Sequence, residues 1–306
     1  MNKKNIIALL VLILAVGIYL VVNMNEPTQK VFNYFGKSDE PFHTIVISDT
    51  SSTITLVKNS DVWEMTSPVE SPIKQSKVDD LMKKLVAAKS STLPISVLET
   101  AQKTYNVTDS LGTAIKIMDA KGNIIRETII GRADNYSFSY ARHPQSTEIY
   151  QLSENLIWTI KPDITSWREN AILTLDTDNI LDFQVATQER EYKFTYADSL
   201  WIFTENDITH EVTDNNEVMK KLLRHFTSLR ATDFLDKEFD HYEELLEEPH
   251  LAMRINSSDE GAQIITVIPY DSTSDLMQLG SQTSPLYLIQ KTFMSDFDFD
   301  LGDLFE

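Results

Sequence analysis

The chain has no cysteine. That one absence removes disulfides, thiolate nucleophiles and cysteine-based zinc sites together. An exported chain without disulfides fits a bacterial envelope better than a eukaryotic secretory route. Positive charge is scarce as well: 27 Lys and Arg stand against 46 Asp and Glu, a net charge of −19. Nucleic acid is disfavoured as a partner, because binding it depends on neutralising phosphates with basic side chains. A domain lying flat on anionic lipid is disfavoured on the same ground.

Reactive signatures are missing too. There is no Gly-x-Ser-x-Gly, no phosphate-cradling Gly-rich loop and no His-Glu-x-x-His. The six His are scattered. The densest polar cluster is Glu238-Phe239-Asp240-His241, followed by Glu243, Glu244, Glu247, Glu248 and His250. Two readings compete for it. Carboxylates and imidazoles together suit a divalent cation or a carboxylate-dependent hydrolase. The helical spacing of Phe239, Tyr242, Leu245 and Leu246 instead suits an acidic, solvated helix face. No catalytic, cofactor-binding or metal-ligating residue is assigned, and no cofactor is expected.

One long apolar run is present. Residues 1–5 form a basic n-region with Lys3 and Lys4, and residues 6–22, Ile6 to Val22, carry no charge. As a helix that run spans roughly 26 Å, close to a bilayer's hydrocarbon core. An uncleaved transmembrane anchor is expected, with a cleaved signal peptide as the rival. No Ala-x-Ala-like site follows the run, which ends in Asn23-Met24-Asn25-Glu26-Pro27. The lysines before it place the amino terminus in the cytoplasm and the bulk of the chain outside. The lipid bilayer is thus an expected partner through residues 6–22. A polar linker, residues 23–41, follows.

The rest of the chain says the same thing twice. Ile54-Thr55-Leu56-Val57 leads into Trp63, and Tyr192-Lys193-Phe194-Thr195 leads into Trp201, 138 residues later. Leu81-Met82-Lys83-Lys84-Leu85 is matched by Val218-Met219-Lys220-Lys221-Leu222, at an offset of 137. Tyr105 matches Tyr242, and Ile149-Tyr150 matches Leu286-Tyr287, again at 137. Each copy opens with a β-hairpin rich in β-branched residues and closed by its Trp, a residue type that anchors cores. A helix follows, with apolar stripes at Val78, Leu81, Met82, Leu85 and at Val218, Met219, Leu222, Phe226. Ser76 is placed to cap the first helix, and Asp214 with Glu217 forms a capping-box pattern for the second. Hairpins with Gly122 and Gly261 in their turns come next, then a final strand pair.

The expected fold class is therefore α+β: two tandem repeats, each a mainly antiparallel sheet with a packed helix, behind one transmembrane helix. The first repeat covers 42–160, a joint 161–177, the second repeat 178–297, and an acidic, aromatic tail 298–306. From Asp296 onward, Phe297, Phe299, Leu301, Leu304 and Phe305 alternate with acids, which reads either as a docking peptide for a partner's groove or as a frayed end.

The Trp63 and Trp201 positions, the Leu/Met-Lys-Lys-Leu helices, the later Tyr and the Ile-Tyr or Leu-Tyr strands together resemble the bacterial "domain of unknown function 4340" family. So does Trp167-Arg168-Glu169-Asn170-Ala171-Ile172-Leu173 at the joint. The resemblance covers roughly residues 42 to 297. It departs from the family's usual Tyr-Gly-Leu at Tyr105-Asn106-Val107 and Tyr242-Glu243-Glu244. The resemblance implies membrane-anchored, extracytoplasmic proteins, often encoded beside transporter components of the gliding-motility ABC type, and it transfers no functional residue. The expected function is a non-enzymatic scaffold or accessory subunit of an envelope complex, with a protein partner in the membrane. The alternatives are an envelope glycan- or peptidoglycan-binding module, favoured by exposed tryptophans, and a hydrolase using the Glu238 to His250 carboxylates.

Overall fold

The computed structural model describes residues 12–17, 30–36, 42–134, 136–237, 239–280 and 285–305. Strand outweighs helix, 42 % to 22 %. The chain divides into two compact units, Met1–Pro68 with Gln75–Asp163, and Val69–Lys74 with Ile164–Glu306.

The first unit is built on an antiparallel sheet. Its spatial order is Val62–Ser67, Thr53–Asn59, Thr44–Ser48, Thr113–Met118, Ile124–Arg132, Ser139–Arg142 and Ile149–Leu152. Alternation sets its faces: Ile45, Ile47, Ile54, Leu56, Ile115 and Ile117 all point inward and are buried. The helix Gln75–Ala87 buries Val78, Leu81 and Leu85. Trp63 is buried. Gln75 clamps its backbone, accepting from Trp63 N at 3.0 Å and donating to Trp63 O at 2.8 Å. Part of the expected linker is structured: Val31–Asn33 pairs with Lys89–Ser91, and Tyr34 and Phe35 are buried.

The second unit repeats that order. Its sheet runs Ile208–Val212, Leu200–Glu205, Glu191–Ala197, Ile180–Thr187, Leu251–Ser257, Gly261–Pro269, Ser274–Leu279, Leu286–Gln290 and Asp233–Leu235. In each unit the opening strand lies between its hairpin partner and the strand that follows the helical region. The inner face carries Phe183, Val185, Tyr192, Phe194, Trp201 and Phe203, all buried. The helix Glu217–Ser228 covers it with Met219, Leu222 and Phe226. The cap of this helix is Asn216, whose side chain accepts from Val218 N and Met219 N at 2.9 and 3.1 Å. Asp214 does not cap it; it accepts from the buried Trp201 indole at 2.8 Å. A buried indole N–H needs an acceptor, and that demand outweighs the capping-box pattern.

Residues 69–74 belong to the second unit, where Ile73 bridges Arg168. Pro72 O accepts from Glu169 N at 3.0 Å, and Lys74 N donates to Trp167 O at 2.9 Å. Trp167 and Arg168, expected in a joint, are buried here.

The expected fold class requires correction. The molecule is mostly antiparallel β-sheet, and among the described residues the expected transmembrane helix is not found. Of the run from Ile6 to Val22, residues 12–17 are described; they are helical and their side chains are exposed. Among the described residues no helix is long and apolar enough to cross a membrane. The remainder of the run, and the n-region, lie outside the described residues.

Candidate functional site

Three of the four tryptophans, Trp63, Trp167 and Trp201, are buried. The fourth faces out. Trp158 is 52 % exposed although its neighbours Leu156 and Ile160 are buried. The local backbone explains this. Leu156 O accepts from both Thr159 N at 2.9 Å and Ile160 N at 3.0 Å, so the chain turns tightly and lifts residue 158 to the crest. The turn is fixed from below by Leu156 N donating to Ser139 Oγ at 2.9 Å and Lys84 Nζ donating to Thr159 Oγ1 at 2.7 Å.

Tyr136, 50 % exposed, stacks on Trp158 with ring centroids 6.1 Å apart and planes at 29°. Its φ of 57° is in the left-handed region, which a bulky L-residue enters only when its surroundings impose it. Asn155 Nδ2 donates to Tyr136 O at 2.6 Å and helps to hold it there. Two cations flank the rings. Arg132, at the end of the strand Ile124–Arg132, lies 4.9 Å from the Tyr136 centroid and 5.9 Å from that of Trp158. Its Nη2 also donates to the Tyr136 hydroxyl. Lys161 Nζ lies 4.4 Å from the Trp158 centroid. The result is an exposed aromatic platform with two positive charges on a strongly acidic chain. It presents apolar ring surface beside the Arg132 guanidinium.

The other sequence-derived candidates lie elsewhere. Residues Phe239–Glu247 form a helix on which Leu246 is buried and Tyr242 half-buried, while His241, Glu243, Glu244 and Glu247 are exposed, as are Glu248 and His250 beyond it. Glu238 lies outside the described residues. Among the described residues, no group of three or more His, Asp or Glu is placed to hold a metal ion.

The tail is neither a frayed end nor a free docking peptide. Phe297 and Leu304 are buried in the second unit's own core. Phe297 O accepts from the Tyr192 hydroxyl at 2.8 Å, and Phe299 O accepts from Arg190 Nη1 at 2.9 Å. Asp296 takes Lys221 Nζ at 2.7 Å and His225 Nε2 at 2.8 Å. Burial lowers the His225 pKa below the ordinary imidazole value, with the Asp296 carboxylate opposing the shift. Burial likewise pushes the Tyr192 hydroxyl up. Beside the tail is an open cleft of about 780 Å³ lined by Glu211, Glu217, Asp298, Asp300 and Asp303. Asn216 at its wall is already committed, donating to Asp303 O and Leu304 O, both at 3.2 Å.

Sequence reasoning missed the platform. No periodic signal in Leu156-Ile157-Trp158-Thr159-Ile160 marks the turn that exposes its centre.

These features define a class: a two-unit, mostly antiparallel β protein with an exposed aromatic–cation surface. The family model described as "Domain of unknown function (DUF4340)" matches residues 63–249, and the chain belongs to that family. The match begins in the first unit and ends in the second. No curated protein and no solved structure matches the chain.

Proposed function

We propose that this protein is a non-enzymatic scaffold or accessory subunit of a cell-envelope complex, and that the Trp158 platform is where its protein partner docks. The observation that carries this reading is a half-exposed Trp stacked on a half-exposed Tyr beside an Arg. Trp, Tyr and Arg are the residues that dominate binding energy at protein interfaces. The partner in this reading is a component of an ABC-type transporter of the gliding-motility kind. Its setting in this reading is outside the cytoplasmic membrane, in keeping with a chain free of cysteine. We further propose that the two units are tandem copies of one domain. Their shared strand order and the recurrent offset of 137 residues support this.

The test is capture of partners from detergent-solubilised membranes, comparing the wild type with Trp158→Ala. A specific protein retained by the wild type and lost by the variant supports the reading. A wild type that retains no stable protein partner overturns it. The same exposed rings favour a second reading, a glycan-binding module, since flat aromatic faces also stack on sugar rings. Retention on immobilised peptidoglycan that depends on Trp158 would favour that reading over the first.

A further inference from the structure

One pocket of the second unit is basic on an otherwise acidic chain. It lies at the C-terminal end of the helix Glu217–Ser228, has a volume of about 270 Å³, and is lined by Arg224, His225 and Arg230 together with Gln290 and Thr292. No Asp or Glu stands among its described lining residues, on a chain of net charge −19. A concave site lined by one sign of charge concentrates counter-ions.

The bonding around the pocket leaves its cationic donors available. Among the described residues Arg224 bonds only through its backbone: its carbonyl accepts from the Thr227 and Ser228 hydroxyls at 3.2 and 3.1 Å, and its guanidinium has no partner. Those hydroxyls cover a carbonyl whose partial negative charge at the helix end would repel an anion. Arg230 is loosely tied, with Nη1 3.3 Å from Asn170 Oδ1 and 3.8 Å from Glu169 Oε1. His225 is fixed by its Nε2 contact with Asp296 at 2.8 Å and by the Phe293 ring, whose centroid is 4.8 Å away. Lys221 Nζ, 2.7 Å from Asp296, offsets that carboxylate. Thr232 donates its hydroxyl proton to Leu288 O at 3.0 Å, so it is committed. The Gln290 amide and the Thr292 hydroxyl carry no such bond among the described residues and complete the set of donors.

We propose that this pocket binds a small phosphate dianion, either free phosphate or the phosphate of a small monoester, held by the Arg224 and Arg230 guanidiniums. A guanidinium matches phosphate oxygens with parallel N–H bonds. Two cations favour a double charge over the single charge of a carboxylate. The volume falls below the roughly 300 Å³ at which sites for drug-sized ligands begin, so the ligand is small.

Titration calorimetry on the full chain at constant ionic strength tests this, with inorganic phosphate, glycerol 3-phosphate and acetate as probes. At about pH 7.5 a phosphate monoester is close to a dianion. The expected result is saturable binding of phosphate or glycerol 3-phosphate, with acetate at least roughly ten-fold weaker. Tighter binding of glycerol 3-phosphate would assign a monoester to the pocket, and tighter binding of phosphate would assign the free ion. Arg224→Gln is expected to weaken binding roughly ten-fold or more, and Arg224→Lys, which keeps the charge and loses the fork, to fall between. Lys103→Gln removes one exposed positive charge from the first unit and is expected to leave the affinity within about two-fold. Arg224 is exposed, so the melting curves of its variants should match the wild type. Three results would each overturn the proposal: no saturable binding of either phosphate probe, acetate binding as tightly as phosphate, or wild-type affinity in the folded Arg224→Gln chain.

Discussion

Arg168 is buried, and its Nη1 alone donates to both carboxylate oxygens of Asp236, at 2.8 and 2.6 Å. Its Nε donates to Ser71 Oγ at 3.1 Å, and its Cζ lies 3.8 Å from the ring centroid of Phe234. One side chain thus ties residues 69–74 and the Asp233–Leu235 strand into the second unit. Removing one member of such a pair strands the other charge, at about 3 to 5 kcal/mol for full burial. Asp236 keeps 26 % side-chain exposure, which relieves part of that penalty. Arg168→Met is therefore expected to destabilise the second unit by about 2 to 3 kcal/mol, below the full-burial range. Arg168→Lys also loses stability, because one ammonium cannot reach Ser71 Oγ and the Asp236 carboxylate together as Nε and Nη1 do. Urea titration followed by circular dichroism checks both, and an unchanged midpoint for Arg168→Met would refute the account of this pair.

Gly131 makes a separate prediction for the first unit. A Cβ there would stand 2.2 Å from Tyr105 O and 2.7 Å from Val107 Cγ1. Backbone occupies the nearest space, so no side-chain movement alone can make room. Gly131→Ala is expected to cost about 3 kcal/mol, the upper end of ordinary overpacking. Thermal denaturation should show the loss in the first unit's transition. The second unit's transition should stay in place where the two are resolved.

His225 gives a pH dependence with a defined sign. Its folded pKa lies below the ordinary imidazole value of 6.5, because burial disfavours the cation. Below that pH the unfolded chain binds a proton that the folded chain resists. The contribution is present above about pH 6.5 and is lost as pH falls through and below it. Wild-type stability measured by denaturant titration from about pH 7.5 down to about 5.5 should fall more steeply than that of His225→Gln. Parallel slopes would mean that this imidazole is not the source.

Much of the fold was legible because its signals are local. The alternation in Thr44 to Ile47 and Tyr192 to Tyr196, and the stripes ending at Leu85 and Phe226, mark strands and helices found in the structure. Three features were not legible, each for its own reason. Residues 69–74 join the second unit through contacts with Trp167 and Arg168, far along the chain, and no local pattern encodes such a partner. The tail's acids and aromatics suggested an outward-facing peptide, yet Phe297 and Leu304 fill the unit's own core and Asp296 binds Lys221 and His225. The platform itself joins residues 132, 136, 158 and 161 through two turns, and turn geometry decides whether an aromatic is core or surface.

The most direct measurement of the central claim is quantitative partner capture by Trp158→Ala. The side chain is half-exposed, so the fold should hold, and an unchanged melting curve would verify that. As the centre of an interface it should carry at least about 2 kcal/mol, roughly thirty-fold in Kd. The account predicts that a protein retained by the wild type is released by Trp158→Ala and is weakened further when Arg132→Ala is added. Retention of that protein at wild-type affinity by the folded Trp158→Ala chain would contradict it.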